Sequence, residues 1–247
     1  VRADLALTEL ASATDVGRVR SENQDLDLLA PPLFAVADGM GGHRGGATAA
    51  RMAVDALRDV GGTADPADLL TALQQANRDI VEVAADDPAL EGMGTTMTAA
   101  LLEAGVLYLV HVGDSRAYLI RAGQITQLTD DHSVVAEMVR RGALTEADAG
   151  THPARHVITR ALGADAEVQV DARRVELAIG DVVLLCTDGL SGPVGDPDIL
   201  AAVESCGTLE EAARGLVERA NAAGGPDNVT VVLARVEAVT REAAATG

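Results

Sequence analysis

The spacing of apolar residues changes period along this chain of 247 residues, and each change marks an element. Residues 5–14, 26–30 and 33–38 read as strands separated by a polar loop and a turn. Ala47, Ala50, Val54 and Leu57 then recur at helical spacing. After a Gly61-Gly62 break, Asp65 and Pro66 stand as N-cap and first residue of a second helix, whose apolar stripe is Leu69, Leu73, Ala76, Ile80 and Val83. Strand patterns return at 95–103, 106–112, 117–121 and 124–128. The second of these is apolar on both faces, as a strand covered on both sides is. Residues 132–163 are polar, carry Arg and His and are partly helical, the profile of an insertion over a site. Strands resume at 167–177, 181–187 and 229–236. Between the last two, Asp196-Pro197 repeats the cap-plus-proline signal, and Thr208 with Glu211 forms a capping box ahead of Leu209, Ala212, Leu216 and Ala220.

Strands, helix pair, strands, helix pair, strand: this order predicts an α+β fold. The expected form is a four-layer α-β-β-α sandwich, two mainly antiparallel sheets flanked by helix pairs. The strict βα alternation of a doubly wound parallel sheet is missing. No repeat or linker divides the chain, so one domain over 1–240 is expected, with a flap at about 132–163. The tail from Glu237 carries no periodic core signal and is expected to fray, leaving 241–247 outside the domain.

Hydrophobic residues make up 48% of the chain, but only Phe34, Tyr108 and Tyr118 are aromatic, so Ala, Val and Leu must fill the core. Asp and Glu number 38 against 19 basic residues, all of them arginine, for a formal net charge of -19. With no basic stripe and no interleaved aromatics, nucleic acid is excluded as an expected partner. Cys186 and Cys206 lie in apolar surroundings without metal-binding spacing and read as reduced thiols of a cytoplasmic protein. No apolar stretch reaches the length of a membrane span and no signal-peptide pattern opens the chain. It starts at Val1, as a trimmed or excised domain would, and a monomer is expected.

The candidate chemistry lies in four aspartates, each in a short Gly-rich turn after an apolar run. They are Asp38 in FAVADGMGGH, Asp114 in LVHVGDSRAY, Asp188 in VVLLCTDGL and Asp227 in GGPDNVTVVL. Oxygen donors without His or Cys suit hard octahedral cations such as magnesium or manganese. Singly, an Asp-Gly after a strand is ordinarily a turn and nothing more. GMGGHRGG alone could cradle a nucleotide phosphate, but no GK[ST] follows and no dinucleotide fingerprint fits. Asp114-Ser115-Arg116 could serve only to close a hairpin, and Arg20 could be a surface ion-pair residue. His111 shares a strand face with Leu107 and Leu109 and reads as core. His132 is expected to begin a helix, and His152 and His156 to face solvent or touch substrate.

Eight words in order carry a resemblance: RSENQD, VADGMGGH, GTT at 94–96, VGDSRAY, LTDDH, ITRALG, LLCTDGL and DNVT. From Arg20 to Thr230 the chain resembles the metal-dependent Ser/Thr protein phosphatases of type 2C in their bacterial form. That resemblance implies hydrolysis of phosphoserine and phosphothreonine in proteins by direct attack of a metal-bridging hydroxide, opposing a Ser/Thr protein kinase. It implies two manganese or magnesium ions in the core site and a third, weaker one. Asp38 would bridge two ions, with the Gly39 carbonyl as a further ligand and Asp188 and Asp227 completing the first ion's protein ligands. Asp114, with Asp188, would hold the third. Arg20 would bind phosphate, and Asp25 would act from behind the ligands or through water. Two positions depart from the animal members, which carry Glu where Gln24 stands and a general-acid His where Met40 stands. A metal-bound water or His43 would then protonate the leaving oxygen, although His43 could equally serve only to open a helix.

Overall fold

The computed structural model describes residues 4–60 and 65–239, with backbone alone for Asp4, Gly42, His43 and Val239. In chain order the strands are β1 (Asp4–Asp15), β2 (Asp25–Ala30), β3 (Leu33–Met40), β4 (Gly94–Thr95), β5 (Met97–Glu103), β6 (Val106–Val112), β7 (Arg116–Arg121), β8 (Gln124–Gln127), β9 (Asp171–Glu176), β10 (Val182–Cys186) and β11 (Val229–Val239). They form two antiparallel sheets, one in the order β1-β11-β10-β7-β8, the other β2-β3-β5-β6-β9 with β4 against the end of β3. Helices α1 (Gly42–Val60) and α2 (Pro66–Asp86) cover the second sheet, and α6 (Asp196–Ser205) and α7 (Leu209–Ala222) cover the first. Two short helices, α3 (Val134–Arg140) and α4 (Glu146–Ala149), lie in the flap, and α5 (Asp188–Ser191) is a single turn after β10.

The layering follows from strand alternation, since successive side chains point to opposite faces. In β3, Leu33, Ala35 and Ala37 pack under α1 and α2, while Phe34 and Val36 enter the core between the sheets. In β10, Val182, Leu184 and Cys186 meet α6 and α7, while Val183 and Leu185 face the other sheet. Strands buried on both faces therefore read as continuous apolar runs, and with few aromatics the layers close on Ala, Val and Leu.

Several boundaries differ from the sequence reading. Residues 167–170 are not strand, although Val168 and Val170 still pack against the helix-covered core. Upstream of them, buried Asn77 of α2 donates to the carbonyls of Asp165 and Ala166 and accepts the Gly163 N–H, which holds the turn that leads into this stretch. Asp196 is the first residue of α6 and Gly195 its cap, whereas Asp65 caps α2 and Thr208 with Glu211 boxes α7 as expected. Glu237 does not fray, because β11 runs on to Val239 and pairs Glu237 with Ala6. Residues 241–247 lie outside the described residues. His132 does not begin a helix; it is buried ahead of Ser133, the N-cap of α3.

Candidate metal centre

Both sheets send acidic residues to one end of the sandwich. Asp38 sits near the end of β3, on the face that Phe34 and Val36 turn toward the other sheet, and its register partner is Asp25 at the start of β2. Asp114 follows β6, Asp188 follows β10 and Asp227 precedes β11. Asp38 is thus strand and not turn, and a single residue, Gly41, separates β3 from α1. The glycines serve close approach: a Cβ on Gly39 would lie 2.3 Å from the Gly46 carbonyl oxygen, so α1 can start against the strand end only with glycine there. Gly189 does the same beside the start of β11, where a Cβ would fall 1.8 Å from the Asn228 carbonyl oxygen.

Threonines frame the carboxylates. Asp38 donates its N–H to Thr96 Oγ1 at 2.9 Å and accepts from the Thr96 N–H and the Thr95 hydroxyl, each at 2.9 Å. Thr96 Oγ1 meets Ser115 Oγ at 2.8 Å, which ties the Asp38 strand to the Asp114 turn. Across the sheets the Thr187 hydroxyl donates to Asp25 Oδ2 at 2.8 Å and accepts the Thr230 N–H. Asn228 holds the loop bearing Arg20: its Nδ2 donates to the Val16 and Glu22 carbonyls, and its Oδ1 accepts the Gln24 N–H. Arg20 Nη2 donates to Asp227 Oδ2 at 2.7 Å. That hydrogen bond, and then the charges of Asp227, Asp38 and Asp188, raises the guanidinium above its ordinary range.

The remaining carboxylates repel one another. Burial, followed by the charges of Asp25, Asp188, Asp114 and Asp227, pushes Asp38 well above the usual carboxylate range. Burial lifts Asp25 to about 7 against the hydrogen bonds of Thr187 and Thr230. Burial and then Asp188 lift Asp114 to about 7, and burial and then Asp227 raise Asp188. Oδ1 of Asp25 and Oδ1 of Asp188 are buried without a hydrogen-bond partner. Such atoms and such crowding fit divalent cations, whose charge would favour the ionised forms. Among the described residues no three His, Cys, Asp or Glu side chains are grouped so as to hold one metal ion between them. An open set suits ions that retain several waters and take one or two carboxylates each.

Asp38, Asp25, Asp114, Asp188, Asp227 and Arg20 are therefore neighbours in space, with Gly39 and Gln24 beside them. The His43 side chain lies outside the described residues. The sequence reading assigned no role to Thr95, Thr96, Ser115, Thr187 or Asn228, though all stand inside the words GTT, VGDSRAY, LLCTDGL and DNVT. His156 of the flap, exposed as expected, brings Nδ1 to 3.9 Å from Asp188 Oδ2. His111 is buried with Nδ1 2.9 Å from Thr98 Oγ1, but its Nε2 has no well-formed partner, so it is a core histidine only half satisfied.

A family model described as Protein phosphatase 2C matches residues 23–228. The serine/threonine protein phosphatase PstP of Mycobacterium tuberculosis is 44% identical over 230 residues, which are 92% of this chain but 44% of that protein. The chain thus spans less than half the length of this relative. The serine/threonine phosphatase stp of Listeria innocua is 39% identical over 235 residues, 89% of this chain and 92% of the other. A crystal structure of the catalytic domain of PstP in complex with two manganese ions matches with a TM-score of 0.85 at 40% identity, covering 94% of this chain and 99% of that one. With the family model spanning most of its length, and the Listeria phosphatase aligned nearly end to end, the chain belongs to the protein phosphatase 2C family.

Proposed function

We propose that the chain is a metal-dependent serine/threonine protein phosphatase acting on phosphoproteins, a Ser/Thr protein kinase among them, as a monomer in the bacterial cytoplasm. One observation carries the reading: acidic side chains from both sheets crowd one end of the sandwich with buried oxygens left unpartnered. Asp38, the Gly39 carbonyl, Asp188 and Asp227 would hold two manganese or magnesium ions, and Asp114 with Asp188 a third. Bound there, the ions would supply an activated water and charge neutralisation for direct hydrolysis of the phosphoester. Asp25 holds the array from behind, with one oxygen on Thr187. Gln24 is aimed at the Gly39–Gly46 contact, where it adds no charge.

Arg20 binds and orients the substrate. Its planar fork suits phosphate oxygens, and on its exposed loop it is shared between Asp227 and the incoming phosphate. The insertion at 132–163 is the flap that governs access. The serine or threonine oxygen needs a proton as it leaves, and the thioether of Met40 has none to give. His43→Ala and His156→Ala, each assayed on a phosphopeptide and on an aryl phosphate, identify the donor, because an aryl leaving group needs no proton. A loss confined to the phosphopeptide marks it, and equal losses on both substrates exclude that histidine.

The direct test measures hydrolysis of an aryl phosphate and a phosphothreonine peptide with manganese, with magnesium and with chelator. Turnover of both substrates that chelator abolishes is expected. Turnover indifferent to chelator, or none under any condition, would overturn the reading.

A further inference from the structure

His132 is 2% exposed, yet polar groups meet its ring and its backbone. Nδ1 accepts the Gly113 N–H at 3.1 Å, and the His132 N–H donates to the Gly113 carbonyl at 2.8 Å, so both polar groups of Gly113 are gripped. Gly113 has φ +114 and leads directly into Asp114. At the other edge of the ring, Nε2 lies 3.1 Å from Asp171 Oδ2, while Arg160 Nη1 donates to Asp171 Oδ1 at 2.9 Å. A ring nitrogen that accepts from an amide carries no proton, so the neutral ring bears its hydrogen on Nε2 and donates to Asp171, and Arg160 Nη1, 3.2 Å from Nε2, is held there by Asp171 and not by the ring. The backbone continues the same tie: Thr159 N–H donates to the His132 carbonyl at 2.7 Å and Val134 N–H to that of Val157 at 2.9 Å. These are the residues on which the flap chain returns to the sheets.

We infer that His132 is a positioning residue that fixes the Asp114 turn with one ring nitrogen and, through Asp171 and Arg160, the returning limb of the flap with the other. The inference rests on the phosphatase reading and deepens it. Asp114's hold on a cation and the flap's hold on a phosphopeptide share one anchor that touches neither ligand. The two halves are separable, because asparagine places an acceptor near Nδ1 and glutamine places its amide near Nε2.

Manganese binding is measured first, without substrate, by electron paramagnetic resonance titration, and then KM for a phosphothreonine peptide and for an aryl phosphate. His132→Gln is expected to weaken the weakest-bound manganese by roughly tenfold, the lower end of what a group orienting a metal ligand contributes. His132→Asn keeps the manganese titration near that of the wild type and raises KM for the peptide several-fold, with KM for the aryl phosphate moved less. Arg160→Gln, on a half-exposed residue outside the core, reproduces the His132→Asn pattern even where a His132 variant folds poorly. Wild-type behaviour of both His132 variants in both measurements would overturn the inference. So would parallel losses in both, accompanied only by a lower melting temperature, or an Arg160→Gln protein with unchanged KM. Should the wild type hydrolyse neither substrate, the phosphatase reading fails, while the manganese titration still judges the anchor.

Discussion

Strand β10 has an aspartate beyond each end, and the two ends treat a carboxylate in opposite ways. At the start, Asp181 is buried and fully matched: Arg121 donates to both of its oxygens, and the Ala178 N–H donates to one of them. Asp131, below β8, is matched the same way by the fork of Arg116. At the far end Asp188 meets Asp38, Asp114 and Asp227, with one oxygen unpartnered and the nearby His156 at 3.9 Å. A buried charge is tolerated when it is paired and hydrogen-bonded. Arginine forks pair the structural carboxylates Asp181 and Asp131, whereas at the site the exposed Arg20 pairs with Asp227 and leaves Asp188 Oδ1 unpartnered. Where several carboxylates face one another, the proposed metal ions would supply the positive charge.

The sharpest break of this contrast is Asp38→Ala. Turnover should fall on the order of a thousandfold or more, as for loss of a central electrostatic element. The metal-free protein should melt no lower than the wild type, because mutual repulsion is relieved. A large drop in melting temperature with activity retained would reverse the assignment of the two ends. Manganese supplied at 100 times its dissociation constant should stabilise the wild type by about 2.7 kcal/mol per site. Thermal melts should record that gain in full for Asp181→Asn and find it reduced in Asp188→Asn. Asp181→Asn itself should cost about 1–3 kcal/mol, the range for a buried partner left unsatisfied. It should leave KM unchanged, and denaturant titration measures the loss.

Acidity gives a gentler test of the crowded end. Burial pushes Asp25 and Asp114 up to about 7 in the folded protein without metal, against 3.8 for the ordinary carboxyl. Between those values the folded state binds more protons than the unfolded one, so stability falls as pH rises from about 4 to about 7. Denaturant midpoints of the metal-free protein should follow that slope, and manganese should flatten it. A rise over the same window would contradict the crowding of the carboxylates.

The architecture was legible because its signals were local and agreed with one another. The stripe from Leu69 to Ile80, the Asp65 cap and the Thr208–Glu211 box each describe a single helix face or end. Misreadings arose where a distant side chain intervened. The alternation at 167–170 looked like strand until Asn77, some ninety residues earlier, is seen holding the turn before it. Glu237 looked like a loose tail because its partner, Ala6, lies at the other end of the sequence. At the site, the aspartates stood out by their words, but the threonine and asparagine frame did not. Thr187 and Asn228 acquire meaning only once both sheets are in place.

The pairing of β1 with β11 also fixes where the chain can be held. Val229 lies opposite Asp15, close to Asp227, while Val239 lies opposite Asp4. Eleven residues of strand separate the two levels, a span of roughly 35 Å at the usual rise per residue. Both ends of the described chain therefore emerge together on the side remote from the carboxylates. A load applied through Asp4 and Val239 would pull along the β1–β11 pair, at the level remote from the carboxylates.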